Sequence, residues 1–213
     1  MRTLTPVVFC FCAVIAPGEI IDRLAVAVGN RIITELQIDE ELRVTAMLNR
    51  KPIVRSLEER RDAADRLVEQ LLVKQEMDLS RYPLPGSADV DKYLQQIVES
   101  SGGTAEFDKT LSTYNLTMET MRKHLELQLM ELRFIDFRFR PDTAVSDSDV
   151  ERAYQRQVAT WNQSHSGEPP NFEASREPLR AMLAEEHTDA ALNTWLGESR
   201  KRVAIIYFDK ALE

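Results

Sequence analysis

Residues 20–34 read I-I-D-R-L-A-V-A-V-G-N-R-I-I-T, and this stretch decides the fold. Leu24 to Val28 is a short apolar run, Gly29-Asn30 is a two-residue turn signal, and Arg31 to Thr34 runs back, the pattern of a β-hairpin. Strand-like sequence returns only at the far end, where Val203–Phe208 (V-A-I-I-Y-F) is dense in β-branched and aromatic residues. A two-stranded hairpin is marginal by itself in water, so the C-terminal strand is its natural third member. The expectation is a mainly α protein whose small antiparallel sheet is formed by the N-terminal hairpin and the C-terminal strand.

Between these ends the chain punctuates itself into helices. Thr34-Glu35-Leu36-Gln37 is a capping box opening a helix to about Asn49, which Lys51-Pro52 breaks. A second box, Ser56-Leu57-Glu58-Glu59, opens a long helix to about Tyr82, with Leu67, Val68, Leu71 and Leu72 making one apolar face. Pro83-Leu84-Pro85-Gly86 ends it. Ser87 caps a helix to about Ser101, Gly102-Gly103 stops that one, and Thr104 caps a short helix carrying Phe107 and Leu111. Asn115-Leu116-Thr117 turns the chain into its longest regular stretch, Met118–Arg140, which Pro141 terminates. Ser146-Asp147-Ser148-Asp149 caps a helix through Trp161. Residues 162–170 are polar and end in Pro169-Pro170, the only linker-like segment. The last helix runs from about Phe172 to Ser199, with Pro178 as an alternative start.

The chain has 213 residues, 43% hydrophobic and 29% charged, with only seven glycines, which suits a helical globular protein. Its formal charge of −8 argues against nucleic acid and against anionic lipid, because both need a basic surface. Met1–Gly18 stands apart: Arg2 precedes the apolar run Leu4–Ile15, and Ala16-Pro17-Gly18 follows. This is the layout of a secretory signal, too short for a comfortable membrane span, with cleavage after Ala16 or Gly18, the latter favoured. Both cysteines, Cys10 and Cys12, lie inside that run, so the mature chain would have no disulfide or thiolate chemistry. The expected order is a signal over 1–18, an N-terminal part over 19–161, the linker 162–170, and a C-terminal helix and strand over 171–213.

Met118–Arg140 carries two apolar stripes. Met118, Met121, Leu125, Leu129, Leu132 and Phe139 fall on one side at about 100° per residue, and Leu127, Met130, Phe134 and Phe137 on another. A surface helix needs one such face. Either the helix is central and buried on both sides, or one side lines an open groove, where Met and Phe adapt to varied apolar partners; the two overlap if a buried helix also forms a groove wall. The candidate groove residues are Met118, Met121, Leu127, Met130, Phe134 and Phe137, some of which must serve as core. Arg133, Arg138 and Arg140 interleave with phenylalanines, but on an acidic chain they read as a solvated edge at a helix C-terminus. Catalytic signals are thin. His124, His165 and His187 are scattered, Glu185-Glu186-His187 lacks a second histidine at ligand spacing, and no phosphate loop, dinucleotide fingerprint or nucleophile elbow occurs. No cofactor, metal site or catalytic residue is expected.

The order of parts resembles the SurA family of periplasmic chaperones. The likeness runs through the opening I-I-D-R-L-A-V-A-V-G-N-R-I-I-T-E-L-Q-I-D and R-L-V-E-Q-L-L-V-K-Q-E-M (66–77). It continues through V-D-K-Y-L-Q-Q-I (90–97) and F-D-K-T-L-S-T-Y-N-L-T-M-E-T-M-R-K-H-L (107–125). It closes on F-E-A-S-R-E-P-L-R-A-M-L (172–183) and W-L-G-E-S-R-K-R-V-A-I-I-Y-F (195–208). No single motif is decisive; order and spacing carry the resemblance. Relatives usually hold a parvulin-type prolyl isomerase domain before the terminal helix, and here that interval is residues 162–170, far too short for a domain. The resemblance therefore implies the chaperone module without the isomerase.

What it implies functionally is an exported, non-catalytic chaperone of the periplasm that holds unfolded polypeptides, among them outer-membrane proteins, in an apolar groove. A prolyl isomerase-related enzyme with a reduced site is one alternative. A structural subunit burying its stripes against one dedicated partner is the other. Oligomeric state stays open, since the gap left by the isomerase can favour pairing or strand exchange between copies.

Overall fold

The computed structural model describes residues 22–140, 144–164 and 167–212. The signal with Cys10 and Cys12, the terminator Pro141, and His165 lie outside the described residues. Strand β1 (Leu24–Val28) is the middle of a three-stranded antiparallel sheet, flanked by β2 (Arg31–Thr34) and β3 (Ile205–Tyr207). Both chain ends therefore meet in one ladder, as the sequence predicts. Gly29 opens the turn with φ +57°, and a Cβ there would stand 3.3 Å from Val203 Cγ1, so the turn needs glycine both for its backbone and for space.

Two features of the sheet were not visible in the sequence. Leu24 pairs with Thr34 and Val26 with Ile33, which makes Ala25 an extra, bulged residue. The bulge explains why Ala25 and Val26 are both fully buried in succession, where a regular strand alternates. In addition, β3 has three residues instead of the six expected: Val203 serves as the C-cap of the preceding helix, which continues through Arg202, and a further helical turn begins at Asp209. Arg200 in its last turn is held to Asp65 Oδ1 at 3.1 Å and to Glu69 Oε1 at 3.0 Å, and the Tyr207 hydroxyl donates to the same Asp65 carboxylate.

The helices are α1 (Glu35–Leu48), α2 (Leu57–Ser80), α3 (Ser87–Ser100), α4 (Thr104–Thr113), α5 (Met118–Arg138), α6 (Asp147–Ser164), α7 (Phe172–Arg202) and the single turn α8 (Asp209–Leu212). Thr34 and Gln37 form the expected reciprocal box. At Ser56 only half of the expected box forms: the hydroxyl accepts from Glu59 N–H at 3.2 Å. Gly86, not Ser87, caps α3, its N–H donating to Asp89 Oδ2 at 3.0 Å. Gly103 takes the same place ahead of Thr104. Helix α6 runs three residues past Trp161, into the expected linker. Pro178 lies inside α7 instead of starting it; the residue is exposed, so the Ala174 carbonyl it leaves unpaired faces water.

Packing gives three cores. The first gathers the inner sheet face, Ile38 and Leu42 of α1, α2, the C-terminal halves of α5 and α7, and α8, around Phe134. The second joins α1, α3, α4 and the N-terminal half of α5. The third is a small one in which Val150 and Ala153 of α6 meet Leu179 and Leu183 in the first half of α7. Helix α7 has 31 residues, about 46 Å at 1.5 Å per residue, so its far half and α6 form a two-helix arm beside the body. Helix α5 belongs to two cores at once, which accounts for its two stripes. In the body, Arg60 of α2 (7% exposed) ties the start of α1 to α8, Nη2 reaching Glu35 Oε1 at 3.1 Å and the Ala211 carbonyl at 3.0 Å. No helix of the described residues is long and apolar enough to cross a membrane.

Phe134 is fully buried, with ring centroids of Trp195, Phe139 and Tyr82 at 4.7, 5.5 and 6.2 Å. Truncating it leaves a cavity between α2, α5 and α7 that such rings cannot collapse to fill. Phe134→Ala should therefore lower the unfolding free energy in urea by about 3–5 kcal/mol; a loss under about 1 kcal/mol would contradict this packing.

Candidate functional site

One partly open surface of the body lies where α2, α1 and the 83–86 turn leave α5 incompletely covered. Two adjoining hollows share Leu127 and Lys123. One, of about 160 Å³, is walled by Val44, Leu67 and His124; the other, of about 270 Å³, by Leu84, Pro85 and Met130. These two hollows, with Leu127 and Met130 in their lining and Lys74, Lys123 and Glu126 at the margin, are the candidate groove. The turn that forms its outer lip is tied down by Arg133, which donates to the Leu84 carbonyl and to Asp89 Oδ2, both at 2.6 Å.

The six candidate residues separate by depth. Leu127 is half-buried in the groove, and Met130, almost wholly covered, forms its floor. Met118 is half-buried at the edge of the second core. Met121 and Phe134 are fully buried and present no open surface. Their stripes are core, because each meets a different set of helices. Phe137, 53% exposed, lies outside the groove with its ring 6.4 Å from that of Tyr82. The arginines of this helix are paired: Arg140 with Asp136 at 2.7 Å, and Arg138 with Glu76 at 3.7 Å.

Beside the groove, a charged network is sunk between α1, α2 and α5. Glu41 is only 6% exposed; its carboxylate accepts from Arg66 Nε at 3.0 Å and from the Thr45 hydroxyl at 3.2 Å, and His124 Nδ1 stands 3.5 Å away. Burial pushes the Glu41 carboxyl up, but His124 and the Arg66 guanidinium outweigh it and hold the group below its usual range. Glu131, on the same face of α5, goes the other way: burial raises it, and the charges of Glu69 and Glu41 raise it further, with His124 opposing in part. Neither Glu41 nor Glu131 stood out in the sequence reading. The signal was present for Glu41, which occupies the buried face of α1 between Ile38 and Leu42, where a charge demands a partner. Among the described residues no group of three or more His, Asp or Glu is arranged to hold a metal ion.

The two carboxyls make opposite contributions to stability. Glu41, held low, stabilises the fold above the ordinary carboxylate range and loses that contribution as pH falls through its depressed value. Glu131, held high, costs stability when ionised, and the cost is relieved as pH falls through its raised value. Glu131→Gln should raise Tm at about pH 7 and leave it near that of the parent below about pH 4, where both states of the parent are protonated. A lower Tm for the variant at neutral pH would overturn this assignment.

No family model matches the chain, and no curated protein matches its sequence. A solved structure does match its fold. It comes from work describing PEB4 and Cj1289 as two structurally related SurA-like chaperones of Campylobacter jejuni. The TM-score is 0.53 at 12% identity, covering 87% of this chain and 99% of that one. The chain has the fold of a SurA-like chaperone.

Proposed function

We propose that this protein is an exported chaperone that holds unfolded polypeptides, outer-membrane proteins among them, without catalysing a reaction. The observation that carries this reading is the groove of Leu127 and Met130: an apolar floor left open beside α5 on a fold shared with SurA-like chaperones. Its two hollows are shallow and each accepts little more than one or two side chains, which suits weak, repeated contacts along a chain more than one tight ligand. Lys74 and Lys123 share the rim with Glu40, Glu41 and Glu126 and are paired with Asp78 at 3.7 Å and Glu119 at 2.9 Å, so contact there rests on apolar surface, while the net charge of −8 favours solubility. Phe137 supplies a further exposed contact. A periplasmic location and a cleaved signal over 1–18 belong to the same proposal.

Suppression of aggregation tests it. Urea-unfolded outer-membrane barrel protein diluted into buffer should scatter less light when the chain is present at equal molarity. Leu127→Lys, at a half-buried position, should weaken that protection several-fold with an unchanged circular-dichroism spectrum. Protection that survives the substitution would remove the groove from the mechanism, and no protection at all would remove the chaperone reading. Acceleration of prolyl isomerisation in a short peptide would favour the enzyme instead.

A further inference from the structure

Among the described residues, the outer face of the sheet is left exposed. Ile32 and Ile206 sit on either side of Ala27 in one row across the three strands, and they are 58% and 55% exposed. Phe208, two residues past Ile206 and on the same side, is 39% exposed, and the bulge at Ala25 brings Leu24 to this face as well. At the rim of this face β3 is an edge strand. Gly29 N–H donates to the Ala204 carbonyl at 2.9 Å and Phe208 N–H to the Ala25 carbonyl at 2.9 Å. In an antiparallel ladder these groups alternate. Residues 204, 206 and 208 therefore spend their backbone groups on β1, and the N–H and C=O groups of Ile205 and Tyr207 point away from the sheet.

We propose that the β3 edge docks an extended segment of unfolded polypeptide as a fourth strand, with its apolar side chains laid beside Ile206 and Phe208 on the outer face. This rests on the reading of the protein as a polypeptide-binding chaperone but uses a surface other than the groove. Two outward residues offer up to four backbone hydrogen bonds, which recognise any sequence, and the exposed isoleucine row selects for alternating apolar residues. The position opposite Ile206 is a non-hydrogen-bonded one, where facing side chains come closest. A stable dimer through the same edge is disfavoured by size: three residues span about 10 Å, a strip too short to bury the ~800 Å² per partner of a standard interface. Such a small edge fits a transient guest.

The probe is a fluorescent octapeptide alternating threonine with valine or tyrosine, followed by anisotropy. With its apolar residues beside Ile206, the threonine N–H groups point at β3 and the others at water. N-methylation of the threonines should weaken binding about tenfold or more, the 1.4 kcal/mol of one net hydrogen bond, while N-methylation of the apolar residues leaves it unchanged. Ile206→Lys, at an exposed position, should also weaken binding about tenfold with Leu127→Lys serving as the groove control. Equal effects of the two methylations, or a neutral Ile206→Lys, would overturn the edge. If binding instead follows Leu127 alone, the chaperone reading stands and this inference falls. A concentration-dependent dimer in sedimentation that Ile206→Lys dissolves would assign the edge to a second copy and overturn it too.

Discussion

The constraint on which the structure depends is that β1 must have neighbours on both sides, and only one of them can come from its own hairpin. The second arrives from the opposite end of the chain, after seven helices. Closing so long a loop costs entropy that three residues of strand cannot offset by hydrogen bonding. The cost is met by what surrounds the strand. The inner sheet face enters the same core as Phe134 and Trp195, Arg60 binds the last turn to the start of α1, and Asp65 receives both Tyr207 and Arg200. Each tie links α2 to the C-terminal segment, so α2 serves as the post to which the returning chain is fastened.

From that arrangement the position of α5 follows. It packs against α2 and α7 through its C-terminal half and against α1, α3 and α4 through its N-terminal half, so it belongs to two cores. A helix in this position exposes little. The two hollows lie where the 83–86 turn and α1 leave Leu127 between them. The charged network of Glu41, Arg66 and His124 lies at that same gap, where the packing is interrupted and ionised groups keep partners within reach. Openness and polarity thus have one origin, an incomplete roof over the middle of α5.

The arm formed by α6 and the first half of α7 is a different kind of element. Its core holds four buried residues, Val150, Ala153, Leu179 and Leu183, supported by the Tyr154–Phe172 ring pair at 5.0 Å and the Tyr154 hydroxyl on the Pro170 carbonyl at 2.9 Å. So small a core stabilises the arm less than the body is stabilised. Continuity of α7 from Leu183 in the arm to Trp195 in the body joins the two.

Local sequence determined the hairpin, its glycine turn, the order of the helices and most of their caps, because these depend on neighbours within a few residues. It also determined that Met118–Arg138 is apolar on two sides. Burial on those two sides was decided only by tertiary packing: Met121 and Phe134 are core, Leu127 is half-buried in the lining of both hollows, and Phe137 is exposed, since depth depends on helices far away in sequence. The bulge at Ala25, the shortness of β3 and the exposed row of Ile32 and Ile206 were equally illegible, because a one-residue change of register redirects side chains without altering composition. A charge such as Glu41 on an apolar face could be read as needing a partner, but its partners, Arg66 and His124, come from other helices, and only the fold brings them together.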